Sequence, residues 1–516
     1  MMYLNKDNQE IIEPIPDFSN EDPLDAKFRD DISYIALVKF SQLGITRDQL
    51  EDFQNKVNTV YYPWNKGYNS LRFDVNRRFN VFPLIILMAE TLDDVKNGFN
   101  FSIKYKIELS IRSGAHNNEG YSLCSGIIID QSRRNNVRVN IHDVKKKKTQ
   151  IRVEIEAGAV IGNVIQELDK YNLAISSGTC PNVGISGLTL GGGFGFLMRK
   201  YGITSDNLVE LDMILADGSF ITVNKHKYSD LFWASRGGAG GNFGIVTSFT
   251  FYAYTVSDVT VFELDYDIEH LESVVTLWQK WAPNITDKLT AELDISSENS
   301  LMVKNMIKNK NNKLFRALDK TTISIVGLYL GSKSKLEKHL KPFYDLQIEP
   351  TNKVIETVKY VKAADYFAGK PHRLPFFKNK SSFVDKPLSV EDIKVIGSIF
   401  QTAPPDSRLE LQAFGGRVNE IKSLETAFPF RNSLYWCGFS TLWYDEMNVS
   451  RHIEWIRELW NKFQPFSNHH CYVNFSDSDL GKNYMEYYYA ENKDRLVEIK
   501  KKYDPTYIFN FPQVIR

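Results

Sequence analysis

Three glycine clusters crowd the stretch between Gly178 and Gly244, at residues 184–187, 191–195 and 237–244. A missing Cβ lets backbone N–H groups approach a pyrophosphate and permits positive φ, so such loops can cradle a phosphorylated cofactor. The runs 191–196 and 238–243 both fail the GxGxxG spacing at its last position, and neither opens an early βαβ unit with an acid about 20 residues on. A Rossmann site is therefore excluded, and so is a P-loop, because GxxxxGK[ST] is missing. One cluster alone reads as a tight turn; three in one unit point to a large, extended, anionic cofactor. Upstream lies Arg112-Ser113-Gly114-Ala115-His116-Asn117-Asn118-Glu119-Gly120, and downstream of it Ser177-Gly178-Thr179-Cys180-Pro181-Asn182-Val183-Gly184-Ile185-Ser186-Gly187. A lone loop histidine is ordinarily structural. Gly184-Ile185-Ser186-Gly187 is one residue short of a GxSxG nucleophile elbow. His469-His470 would point to opposite faces of a strand and has no third ligand or HExxH, so no metal site is expected.

The elements that must position these loops follow from periodicity. Residues 79–256 alternate short β-rich runs (85–88, 107–112, 126–130, 151–157) with helical ones (92–101, 161–171). Residues 211–223 read as a hairpin around Asp217-Gly218. Thr46-Arg47-Asp48-Gln49 has capping-box spacing and predicts a helix over 47–57, whereas the Asp-, Asn- and Pro-rich stretch through Asp31 reads as a poorly ordered arm. The lysine run 145–148 reads as a solvated hairpin loop. Beyond Val256 come helices (268–281, 334–344), strands (321–330, 409–414, 434–443), a charged helix over 484–502 and an apolar tail over 508–515 expected to dock back on the first unit.

Composition narrows the function classes. A chain of 516 residues exceeds one core of about 150 residues, and 63 Lys+Arg against 63 Asp+Glu give no global attraction to nucleic acid or an anionic surface. The longest apolar run, 81–89, is about half of the ~20 residues a membrane span needs, and the polar first residues lack a secretory apolar stretch, so a soluble cytoplasmic protein is expected. Four cysteines without CxxC spacing form neither a disulfide framework nor a zinc site.

Taken together, Arg-Ser-Gly-x-His-x-x-Glu-Gly at 112–120, the Cys180 segment, Leu190-Gly191-Gly192-Gly193-Phe194-Gly195, Asp230-Leu231-Phe232-Trp233-Ala234 and Tyr503-Asp504-Pro505 resemble the flavoprotein family of berberine bridge enzymes and oligosaccharide oxidases. The resemblance covers the chain from about Asn80 onward. It implies an α+β fold: a two-subdomain PCMH-type FAD-binding domain (79–256), a substrate domain with an antiparallel sheet covered by helices (257–467), and a C-terminal segment (468–516) returning to the FAD domain after an N-terminal extension (1–78). It further implies FAD joined covalently to both His116 and Cys180. The cofactor-binding set it suggests is Arg112, Ser113, Gly114, Ala115, His116, Cys180, Val183, Gly184, Gly187, Gly191, Gly192, Gly193, Gly244, Ile245, Val246 and Asn474. Ala115 stands where the family usually has Gly. Val183 matches a position lining oxygen's approach to the flavin, where Val accompanies oxidases, so the implied reaction is oxidation of a small molecule by O2.

The proton acceptor is where this chain departs from the pattern. The family's Glu/Gln position falls on Gly438, its basic Tyr on Phe475, and a third pocket Tyr on Asn118. Strand alternation puts Trp436 with Gly438, and Cys471, Val473 and Phe475 together, on an apolar pocket side. Glu410 and Gln412 share one face of their strand; Glu410 is the best carboxylate candidate, with Gln412 and Tyr472 beside it as catalytic candidates. Carbohydrate oxidation, or flavin binding without turnover, are the alternatives.

Overall fold

A computed structural model describes residues 2–4, 10–12, 23–146, 149–297, 321–368 and 375–516. Strands β1 (Met2–Leu4) and β2 (Glu10–Ile12) pair antiparallel. Next come β3 (Val60–Tyr61), β4 (Ile85–Met88), β5 (Leu109–Arg112) and β6 (Ile127–Asp130), forming a sheet in the order β3-β4-β6-β5. β4, β5 and β6 are parallel and, Ser110, Arg112 and Asp130 apart, apolar, as suits strands covered on both faces. The crossover helix Leu92–Tyr105 starts at a Thr91–Asp94 capping box.

A second sheet contains β7 (Val137–Val139), β8 (Ile151–Glu156), β10 (Leu208–Ile214), β11 (Phe220–Asn224) and β12 (Ile245–Thr255), in the order β11-β10-β12-β8-β7, with β9 (Leu173–Ala174) pairing on β12. Gly218, at φ +82°, makes the β10–β11 turn, as its Asp-Gly sequence anticipates. The third sheet is antiparallel throughout and has seven strands: β13 (Asp258–Asp267), β14 (Leu289–Ser297), β15 (Thr321–Tyr329), β16 (Asn352–Lys359), β17 (Phe376–Val384), β18 (Ser407–Ala413) and β19 (Tyr435–Trp443). Leu293, Leu411 and Cys437 face the core built with the helices Leu271–Trp281, Val390–Phe400 and Val449–Phe463. The fold is α+β.

Several local expectations change. Helix Pro23–Gln42 already covers the end of the stretch read as an arm, and β3 builds part of the expected N-terminal extension into the first sheet. The lysine run does lie in the connection between the antiparallel strands Val137–Val139 and Ile151–Glu156, but Lys145 ends a short helix there, Ile141–Lys145, while Lys147 and Lys148 lie outside the described residues. The helix expected over 484–502 is broken into Tyr484–Tyr489 and Lys493–Tyr503 at Ala490, whose φ of +43° is incompatible with a continuous α-helix. The tail does pack back: Phe509 joins the core of the first sheet and Ile515 that of the second.

Candidate active site

β5 ends at Arg112, whose guanidinium turns inward, Nε donating to Asp130 Oδ2 at 2.5 Å and Nη2 to the Leu71 carbonyl at 2.7 Å. Arg112 thus anchors the strand end and does not line the cavity that the following loop borders. At Gly114 this loop touches the one beginning at Cys180, so closely that a Cβ on Gly114 would stand 2.2 Å from the Gly184 nitrogen. Glycine at both positions is what lets the backbones meet. The contact brings His116 Nε2 within 3.8 Å of Cys180 Sγ. Ala115, between them in the first loop, sits at φ +53°, the left-handed region that explains why glycine is the usual occupant.

Burial alone would lower the His116 imidazole's affinity for a proton and raise that of the Cys180 thiolate. Their mutual attraction and hydrogen bond outweigh it, so the His116 pKa is raised and the Cys180 pKa lowered. The pair leans toward imidazolium and thiolate, the nucleophilic form of a cysteine.

Both residues line a cavity of about 510 Å³ that runs from Leu109 and Cys124 past the glycine loops to Glu292 and Trp436. Ser113, Gly114, Ala115, Val183, Gly184, Gly187, Gly244, Val246 and Asn474 border it as well. Ile245 does not: it is fully buried in the core of the first sheet. Gly191, Gly192 and Gly193, expected as pyrophosphate donors, also lie off the cavity wall. Their N–H groups are spent on the Gly187 carbonyl, the Thr189 carbonyl and Tyr472 Oη. The third cluster takes their place, with Ala239, Gly240 and Gly241 on the wall.

The opposite wall is the seven-stranded sheet. Glu410, Gln412 and Trp436 line it, as do Tyr472 and Phe475. Residues 471–475 form a turn closed by Phe475 N–H donating to the Tyr472 carbonyl at 2.8 Å, so strand alternation does not apply there. Cys471 consequently leaves the pocket side and its thiol donates to the Ser381 carbonyl. Tyr472 Oη accepts from Gly193 N–H at 2.7 Å and Asn474 Nδ2 at 2.9 Å, and its ring stacks on Phe194 with centroids 4.1 Å apart. Burial pushes its pKa up. This hydroxyl braces the glycine turn. Gly438 is off the wall because the Trp436 indole covers it.

Glu292 went unnoticed in the sequence, yet it lines the same wall and is 7% exposed. A signal was present: in Thr290-Ala291-Glu292-Leu293-Asp294-Ile295 the acids alternate with core residues and so share the face away from the helices.

A family profile described as FAD binding domain matches residues 83–224, and one described as Berberine and berberine like matches residues 471–516. The FAD-linked oxidoreductase YgaK of Bacillus subtilis is 34% identical over 87% of this chain and 94% of its own length. This chain belongs to the berberine bridge enzyme-like family. Monolignol oxidoreductase AtBBE-like 13 of Arabidopsis thaliana is 30% identical, covering 80% of each chain. Among solved structures, Physcomitrella patens BBE-like 1 superposes with a TM-score of 0.79 at 25% identity, over 90% of this chain and 98% of that one. As a berberine bridge enzyme-like protein the chain is a FAD-linked oxidoreductase acting on a small molecule.

The residues present fit FAD. The cavity is continuous from the first sheet to the third, as an extended dinucleotide requires, and a Cβ on Gly187 would meet no atom within 4 Å. Gly187 is therefore not demanded by packing and leaves open space on the cavity wall. Among the described residues no helix is long and apolar enough to cross a membrane.

Proposed function

We propose that this flavoprotein is an oxidase carrying FAD attached through both His116 and Cys180. Bound FAD supplies a two-electron acceptor for a hydride from a C–H next to O or N. On an alcohol the net reaction moves the C–H and O–H hydrogens, with two electrons, to O2, giving a carbonyl compound and H2O2 in equal amounts. The observation that carries the reading is the 3.8 Å approach of His116 Nε2 to Cys180 Sγ on one cavity wall, with Val183 beside them on the same wall. Two nucleophilic side chains so placed can each reach one planar ring system. The apolar faces of Trp436 and Phe475, with centroids 4.6 Å apart, favour an aromatic or otherwise hydrophobic substrate over a carbohydrate.

Acid precipitation tests the attachment: yellow protein in the pellet for the wild type and for His116→Ala or Cys180→Ala singly, colourless pellet for the double variant. A wild-type pellet without flavin overturns the covalent reading. Anaerobic mixing with coniferyl alcohol, cellobiose and benzylamine tests turnover, with flavin bleaching expected for the aromatic alcohol and H2O2 on readmitting air.

A second reading, flavin binding without turnover, draws on Trp436 filling the space beside Gly438 where the family's acid would stand. Absence of bleaching with every probe favours it.

A further inference from the structure

Resting on the oxidase reading, the question becomes which group takes the substrate proton when Gly438 and Phe475 offer none. Strand register orders the residues on this side of the third sheet: Glu292 lies opposite Gln412, Asp294 opposite Glu410, Gln412 opposite Trp436, and Glu410 opposite Gly438, with Asp294 and Gly438 themselves off the cavity wall. The acids differ in what holds them. Arg408 is spent on Asp294 at 2.6 Å and on Glu410 at 3.4 Å. Glu292 has no ion pair among the described residues; instead Gln412 Nε2 donates to its Oε1 at 2.7 Å. The same wall carries Trp436, whose indole N–H is buried without a hydrogen-bond partner among the described residues.

We propose that Glu292 is the proton acceptor of the oxidation, its carboxyl oriented by the Gln412 amide. Asp294 is off the cavity wall and Glu410 pairs with Arg408, whereas Glu292 lines the wall and is held by a neutral amide next to other acids, a setting that favours a basic carboxylate. In the step, the substrate O–H bond breaks and its proton joins a Glu292 carboxylate oxygen. The freed electron pair forms C=O as the C–H hydrogen departs with its own pair to the two-electron acceptor. The proton is later released to solvent.

Burial first, then the charges of Glu410 and Asp294, push the Glu292 pKa well above the usual carboxylate range, against the opposing pull of Arg408. His116, Cys180 and Tyr472 line the same cavity. From the helix packed on β14, Arg199 spends its guanidinium on the Ile285 and Phe414 carbonyls and Lys200 pairs with Asp287. A base with a raised pKa must first lose its proton, so the reaction accelerates as pH rises through the Glu292 titration.

The test compares wild-type, Glu292→Gln and Glu410→Gln holoenzymes. Infrared difference spectra over a pH series, in light and heavy water, are expected to show protonated-carboxyl absorption persisting above the ordinary glutamate range, one component of which is lost in Glu292→Gln and titrates at lower pH in Glu410→Gln, beside the contribution of Glu263 that stays in both variants. In anaerobic mixing with coniferyl alcohol, Glu292→Gln is expected to slow flavin reduction by about 10²–10⁴-fold and to lose the rise with pH. Flavin content and bleaching by dithionite should be unchanged. Glu410→Gln should shift the rise to lower pH. Reduction of Glu292→Gln at the wild-type rate, or an unmoved band and profile in Glu410→Gln, overturns the proposal. A wild type that no probe reduces refutes the oxidase reading instead, and the infrared arm then decides Glu292's state by itself.

Discussion

The Trp436 indole lies against the Cα of Gly438, its neighbour on the same face of β19: a Cβ on Gly438 would stand 2.4 Å from Cη2 of the ring. The indole thereby occupies the place from which a residue 438 side chain would enter the cavity. Gly438→Ala should cost about 1–3 kcal/mol through overpacking. The loss should shrink when Trp436→Phe is added, as measured by urea denaturation of the single and double variants.

Ala115 tests the loop that carries His116. At φ +53° an alanine already bears strain, and a β-branched side chain bears more. Ala115→Val should lose about 1–3 kcal/mol of stability. Ala115→Gly should stay within about 1 kcal/mol of the wild type, relief of strain offsetting the greater entropy of an unfolded glycine. Thermal denaturation of the two variants side by side decides it.

A buried charge network joins the three parts of the chain. Lys378 of β17 pairs with Glu119 at 2.5 Å, just after the His116 loop, and with Asp477 at 2.6 Å in the C-terminal segment. Lys380 pairs with Asp477 at 2.6 Å and with Asp479 at 2.9 Å. Lys378→Met would leave two buried carboxylates short of a counter-charge and should cost about 3–5 kcal/mol. Adding Glu119→Gln should recover part of the loss in the same denaturation assay.

Glu263 makes stability depend on pH. Burial, then the neighbouring Asp265, push its pKa up to about 7, against a Tyr366 hydroxyl that donates to it. The native state therefore holds this proton more tightly than the unfolded chain. The stabilisation is full below about 4.5 and is lost as pH rises through about 7. Glu263→Gln should flatten the fall in denaturation free energy across that window while leaving Tyr366 an amide oxygen to bond. An unchanged slope would contradict the assignment.

Much of the site was legible because its signals are local. Cys180 and His116 were singled out by the resemblance of their glycine-rich segments to the family, and Glu410 and Gln412 by an alternation of period two. Residues 471–475 misled the same reasoning, since a turn closed by two residues has no strand period. Gly191, Gly192 and Gly193 misled it too: their backbone donors are consumed by Gly187, Thr189 and Tyr472, the last from the far end of the chain.

By itself the sequence determined the loops that need glycine and the alternation that sorts each strand into core and cavity faces, and it singled out His116 and Cys180. Tertiary structure alone decided that His116 meets Cys180 at 3.8 Å, that Trp436 fills the space of a residue 438 side chain, and that Glu292 stands opposite Gln412 on a strand 120 positions away. Periodicity assigns a residue to a face, but strand register chooses its neighbours. The basicity of a buried carboxylate depends on those neighbours.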